Sequence, residues 1–255
     1  MKSICILASL LFLTFHVYCQ FSHINVGGTD REMIVHVPAD LGDNRPLVLS
    51  LHGLNQDAPY QQSTANWEEV ADTAKFVVVY PNSINNSWDI SGNRDIEFLE
   101  AIIDEMHSQH QIDRNRVYVT GFSMGGMMSY HAANNIADQV AAIGPVSGYL
   151  FANPVSSSRP MPILHIHGTT DDVIGYDGVA NILSSWRDWN GCPSNSTIID
   201  LIFGCIAIVV SRYGSYYVLP CSYIFPLIRI RSCCIFTQLH VAIKEFNDGD
   251  IPIRI

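Results

Sequence analysis

The chain has 255 residues, with 14 basic and 24 acidic side chains and a formal net charge of −10. That length accommodates one large core, and α/β domains of this size are commonly undivided. The acidic balance, without any basic cluster, excludes the usual electrostatic footprint of a nucleic-acid-binding protein, and the absence of repeats or heptads excludes a solenoid or coiled coil.

The first segment reads as a targeting sequence. Lys2 precedes an apolar run over residues 4–15, and Val17-Tyr18-Cys19 before Gln20 fits a signal-peptidase site. The run is well short of the ~20 residues that span a bilayer. Residues 1–19 are therefore expected to be a cleaved signal peptide, the mature protein to be secreted and extracellular, and no membrane association to persist after cleavage. Cys192, Cys205, Cys221, Cys233 and Cys234 then remain, an odd set that leaves at least one thiol free or paired between chains. Asn85-Asn86-Ser87 and Asn195-Ser196-Thr197 match the N-glycosylation acceptor pattern.

From Gln20 onward, strands alternate with helices. Residues 31–37 alternate toward a strand ending at Pro38, and residues 46–51 form an apolar strand that runs into His52-Gly53. Residues 67–75 predict a helix with Trp67, Val70, Ala71 and Ala74 on one face. Residues 76–80 are a continuous apolar run stopped by Pro81, the mark of a parallel strand buried on both faces. Ile96, Leu99, Ile102, Ile103 and Met106 recur at helical spacing within residues 94–110. A strand begins at Val117, a helical pattern occupies residues 126–137, strands follow at 140–146 and 161–165, and a helix at 182–189. This order predicts an α/β fold with a doubly wound, mostly parallel sheet whose functional loops lie at the carboxyl ends of its strands.

Three motifs stand at such ends. RVYVTGFSMGG, from Arg116, passes from a strand through Gly121-Phe122-Ser123-Met124-Gly125 into a helix, the pattern of a nucleophile elbow. The turn forces its serine into strained backbone geometry, and a Cβ on either flanking residue would collide with the adjoining strand or helix. Leu51-His52-Gly53-Leu54 closes the strand expected beside the elbow, where acyl transfer needs a backbone N–H to complete an oxyanion hole with that of Met124. His52 is read as fixing this loop by hydrogen bonding rather than transferring protons. His165-Ile166-His167-Gly168-Thr169-Thr170-Asp171 follows a third strand, and a carboxylate there can orient a histidine base, with Asp172 an equal competitor on spacing. Trp88 is a candidate wall of the cleft. His107 and His110 lack a third metal ligand and read as a solvated helix face.

At these residues the chain resembles the secreted polyhydroxybutyrate depolymerase and feruloyl or acetylxylan esterase group of α/β hydrolases. The matching stretches are RPLVLSLHGLNQDA, DIEFLEAIIDEMHSQHQIDRNRVYVTGFSMGGMMSY, PILHIHGTTDDVIGYDG and WRDWNGCP. The resemblance implies an α/β-hydrolase fold with Ser123 as nucleophile, Asp171 as the acid, and Leu54 and Met124 as oxyanion-hole amides. It implies hydrolysis of carboxylic esters in polyesters or acylated polysaccharide, without metal or cofactor.

The family ends on a glycine-rich turn that carries the catalytic histidine, and this chain has no such turn. Residues 198–255 hold 13 isoleucines and no readable helical or strand period. Their single histidine, His240, lacks flanking glycines. The expected organisation is thus a signal peptide at 1–19, an esterase domain at 20–195 and an atypical tail at 196–255 that does not form the sheet's usual closing strand. A serine esterase and a catalytically defective relative without a base are the two functional readings.

Overall fold

A strand covered on both faces needs an apolar residue at every position. Val77–Pro81 meets that condition and Leu47–Leu51 meets it except at Ser50, with all five residues of each buried. The computed structural model describes residues 21–151, 155–191, 198–201 and 205–210. The expected signal peptide, Cys192, Cys221, Cys233, Cys234, the Asn195 acceptor pattern and His240 lie outside them, as does the side chain of Cys205.

In chain order the elements are β1 (Ser22–Val26), β2 (Thr29–His36), β3 (Leu47–Leu51), α1 (Ala58–Ala65), α2 (Glu68–Ala74), β4 (Val77–Pro81), α3 (Arg94–His110), β5 (Val117–Phe122), α4 (Met124–Asn135), β6 (Ala142–Val146), β7 (Ile163–Gly168), α5 (Val179–Trp189), β8 (Ile198–Leu201) and β9 (Cys205–Val210). They build one sheet of order β1-β2-β4-β3-β5-β6-β7-β9-β8. Its centre, from β4 to β7, is parallel. The pairings of β1, β2, β8 and β9 are antiparallel.

Alternate residues of each central strand feed two different cores, as the pleat requires. Leu47, Leu49 and Leu51 pack with residues of α3, α4 and α5, among them Leu99, Ile102, Met128 and Trp186. Val48 and Val78 pack on the other face with Ala58, Ala65, Trp67 and Ala71, from α1 and the segment of α2. The helices therefore cover both faces, as the alternating pattern predicts. At one side of the sheet the Arg31 guanidinium meets the Asp95 carboxylate at 2.7 Å, with both side chains almost fully buried, and lies 3.8 Å from the centre of the Phe98 ring.

The structure corrects the sequence reading at several elements. Helix α1 has no apolar period and was not expected. It starts because Asp57 accepts the Tyr60 N–H and Pro59 occupies the first turn, and it stops where Asn66 turns left-handed. Strand β1 also went unread, although Gly27 and Gly28, both at positive φ, make the two-residue turn that pairs Val26 with Thr29. Helix α4 begins at Met124 rather than Gly126. The tail, expected to add no strand, supplies β9, which pairs with β7 over six residues from Ile163↔Val210 to Gly168↔Cys205, and β8 beyond it. Their pairing is fixed by contact with the free side of β7, a long-range relation to which local periodicity is blind.

Candidate active site

Ser123 stands between the last residue of β5 and the first of α4, with φ 53° and ψ −115°. Side chains with a Cβ avoid this region, and holding one there costs roughly 1–3 kcal/mol. The flanking glycines are required by space. A Cβ on Gly121 would lie 2.5 Å from the Gly125 carbonyl group, and one on Gly125 would lie 2.3 Å from the Leu51 oxygen. The second contact shows how closely the elbow and the end of β3 are pressed together. It follows from the parallel register that pairs Leu51 with Gly121.

That register brings the Leu51-His52-Gly53-Leu54 loop beside Ser123. His52 is fully buried and spends both ring nitrogens on backbone: Nε2 accepts the Ser83 N–H at 3.1 Å, so Nδ1 carries the hydrogen donated to the Gly53 oxygen at 2.7 Å. Burial lowers its pKa, which keeps the ring neutral. This matches the expected loop-fixing role. The Trp88 indole donates to the His52 carbonyl at 2.8 Å and is itself 2% exposed, so Trp88 is a buried brace rather than the cleft wall that the sequence offered. The Asn55 N–H donates to Asn86 at 2.9 Å, and the Gly53 N–H is taken by Gln56 at 2.8 Å. Among the described residues, no partner accepts from the Leu54 or Met124 N–H. The Met124 amide also stands at the N-terminus of α4, where the helix field favours negative charge.

The third loop follows β7. Asp171 Oδ1 accepts the N–H groups of Val173 and Ile174 at 3.0 and 2.9 Å, and its Oδ2 lies 3.5 Å from His167 Nε2. Asp172 is exposed and has no comparable anchoring among the described residues. The spacing left these two carboxylates equal, and their settings now differ. His167 Nε2 also meets the Ile174 carbonyl at 2.7 Å, its Nδ1 meets His165 Nε2 at 3.1 Å, and His165 Nδ1 meets the Tyr130 hydroxyl at 3.0 Å. Burial, followed by the neighbouring His167, pushes the His165 pKa down to about 3. The sequence reading assigned these two histidines no role. Their signal was visible: positions two apart on a buried strand point to the same side.

Among the described residues, no imidazole hydrogen-bonds Ser123 Oγ. His52, His165 and His167 are committed as above, His131 to Gly92, His107 to Ile112, and His23 and His36 to surface aspartates. A mostly parallel sheet covered by helices on both faces, with Ser123 at a strand-to-helix turn, defines an α/β-hydrolase fold.

Residues 92–182 match the family model described as Phospholipase/Carboxylesterase. The chain is 46% identical over 171 residues, 66% of its length, to a bifunctional acetylxylan esterase/xylanase, XynS20E, of Neocallimastix patriciarum, of which it covers 26%. It is 30% identical over 65% of its length to the "Probable feruloyl esterase C" of Aspergillus niger, covering 64% of it. It is 33% identical over 69% of its length to poly(3-hydroxyalkanoate) depolymerase C of Paucimonas lemoignei, covering 48%. A solved thermostable esterase superposes with a TM-score of 0.58 at 21% identity, over 67% of this chain and 52% of the other, a likeness of fold. The chain is similar to these esterases and shares the α/β-hydrolase fold, and it spans less than two thirds of each of these curated relatives.

Proposed function

We propose that the protein is a secreted serine hydrolase of carboxylic esters that acts through an acyl-enzyme on acylated polysaccharide or polyester. Ser123 attacks the ester carbonyl, the Leu54 and Met124 amides stabilise the tetrahedral oxyanion, and Asp171 orients the histidine that takes the serine proton. The observation that carries this reading is the strained Ser123 backbone, pressed between two glycines against the end of β3. Strain of that kind is retained where it positions a reacting group. The relatives named for acetylxylan, feruloyl and polyhydroxyalkanoate esters support the substrate classes. Secretion rests on the apolar leader over residues 4–15. Among the described residues, no helix is long and apolar enough to cross a membrane.

A second reading, an esterase scaffold without a base, is favoured because no imidazole among the described residues hydrogen-bonds Ser123. The two are separated by assaying residues 20–255 on an activated aryl ester, with Ser123→Ala and His240→Ala beside it. Without a base, the loss in turnover is roughly 10⁶ for a serine hydrolase. We expect weak hydrolysis that Ser123→Ala removes and His240→Ala leaves unchanged. Replacing residues after Cys192 with an ending that carries a glycine-flanked histidine should raise it. Ordinary enzyme rates that vanish in His240→Ala would instead make His240 the base. Hydrolysis that survives Ser123→Ala would overturn the assignment of the nucleophile.

A further inference from the structure

The buried side chains Tyr130, His165 and His167 lie outside the proposed catalytic set, yet they form a continuous hydrogen-bonded chain that ends on the acid loop. The direction of each bond can be worked out from its far end. The Ile174 carbonyl can only accept, so the hydrogen between it and His167 belongs to Nε2. In a neutral ring that leaves Nδ1 as an acceptor, and His165 Nε2 must donate to it across 3.1 Å. His165 Nδ1 is then also an acceptor, and the Tyr130 hydroxyl donates to it across 3.0 Å. The two rings stack with centroids 5.2 Å apart and planes 14° from parallel, and each residue of the chain is almost fully buried.

The ends of this chain are what give it meaning. Tyr130 belongs to α4, the helix that starts beside Ser123. His167 Nε2 holds the Ile174 carbonyl and faces Asp171 Oδ2, while Asp171 Oδ1 holds the Val173 and Ile174 N–H groups. Resting on the assignment of Asp171 as the acid, we propose that His167 is a positioning residue for Asp171, with Tyr130 and His165 tying the acid loop to the helix of the nucleophile. A packing role alone would need the volume of these rings but not their hydrogens. The hydrogens, however, set where the loop stands: removing the Nε2–H releases the Ile174 carbonyl and with it the turn that fixes the carboxylate.

Among the described residues, titratable groups face the pair from α4, from the segments after β6 and before α5, and from the loop after β7. Tyr130 approaches from α4, Tyr149 from beyond β6 at 6.0 Å between ring centroids, Tyr176 from before α5 at 6.0 Å, and Asp171 from its own loop. None of these is a cation, so among the described residues no charged donor competes for the lone pairs that the chain uses.

The tautomers are directly measurable. In ¹⁵N-labelled protein at pH 8, long-range ¹H–¹⁵N spectra should show Nε2 protonated and Nδ1 bare in both His165 and His167. A hydrogen on Nδ1 of either ring overturns the chain. Tyr130→Phe keeps the ring and its packing, so it should move the His165 Nδ1 resonance while the fold persists; an unmoved resonance also overturns it. His167→Phe keeps an aromatic filler without the hydrogen. Amide exchange at Val173 and Ile174 should then accelerate while the β5 amides remain protected, and unchanged exchange refutes positioning. Where turnover at ordinary enzyme rates shows that a histidine base serves Ser123, His167→Phe should lower kcat on the order of 10²-fold with KM little changed, as a small misplacement of a catalytic group does. A raised KM with unchanged kcat also refutes it. Should the chain prove inactive, the esterase reading fails while the spectral and exchange results still decide this one.

Discussion

The Trp88 indole N–H donates to the His52 carbonyl at 2.8 Å, across 36 positions of sequence, and so holds the loop after β3 from the segment between β4 and α3. With the Ser83 N–H on His52 Nε2 and the Asn86 carbonyl on the Asn55 N–H, this segment grips the loop at three points. Trp88→Phe retains most of the buried ring but leaves a carbonyl unpaired, which costs roughly 1–3 kcal/mol. The expected result is a lower urea midpoint and slower labelling of Ser123 by a fluorophosphonate. Labelling at the natural rate would detach Trp88 from the site.

Ser123 is expected to trade stability for position. A glycine there tolerates φ 53° without strain, so Ser123→Gly should raise unfolding free energy by about 1 kcal/mol while removing the proposed nucleophile. Chemical denaturation of the two proteins side by side is the measurement. A destabilised Ser123→Gly would mean the geometry is not strained.

Gly125→Ala tests the closeness of the elbow to β3. The new Cβ would meet the Leu51 and His52 carbonyl oxygens at 2.3 and 2.7 Å, both backbone atoms with little room to yield. Overpacking of this kind costs roughly 1–3 kcal/mol, and relief would come by moving the loop that carries Leu54. Both stability and fluorophosphonate labelling should fall. Intact labelling in a folded Gly125→Ala would refute the contact.

The buried Arg31–Asp95 pair predicts an asymmetric mutational result. Asp95 also accepts from Arg94 and from the Asp89 N–H, so its carboxylate organises the entry to α3 as well as neutralising Arg31. Asp95→Ala strands a buried cation, for which roughly 3–5 kcal/mol is the usual cost. Arg94→Ala, removing an exposed partner, should cost well under half as much. Equal losses in thermal or urea unfolding would show that the pair is not the anchor described.

His165 should make stability fall in mild acid. Its folded pKa is lowered to about 3, against 6.5 when unfolded, so below pH 6.5 the unfolded chain takes a proton that the native one refuses. The stabilisation is complete above pH 6.5 and is lost by about 1.4 kcal/mol per pH unit as the pH drops toward 3. His52, lowered by its own burial, acts in the same direction. Urea unfolding between pH 7.5 and 5 should show a slope that His165→Gln reduces; an identical slope in both proteins would remove His165 as its source.

The sequence displayed the central sheet because β3, β4 and β5 are buried on both faces and therefore largely apolar, and it displayed α3 because one face packs on that sheet. The elbow was legible for the same kind of reason: Gly121 and Gly125 are dictated by local contacts that leave no room for a Cβ. What stayed hidden depends on partners distant in sequence. Trp88 could equally wall a cleft or brace a loop until the His52 carbonyl was seen to accept its hydrogen. Asp171 and Asp172 were indistinguishable until only the former was found holding the Val173 and Ile174 amides. Helix α1 rests on its cap and proline rather than on an apolar stripe, so no period announced it.

The pairing of β9 with β7 has a consequence for any shortened form of the chain. β7 presents Ile163, Leu164 and Ile166, and six of its residues pair with β9, up to Gly168 at the start of the loop that carries Asp171. Ending the polypeptide at residue 195 would bare that row of backbone donors and acceptors and turn β7 into an open template for other chains. Such a truncation should associate edge to edge and scatter light on concentration, so the residues that least resemble the family act as a guard against self-assembly.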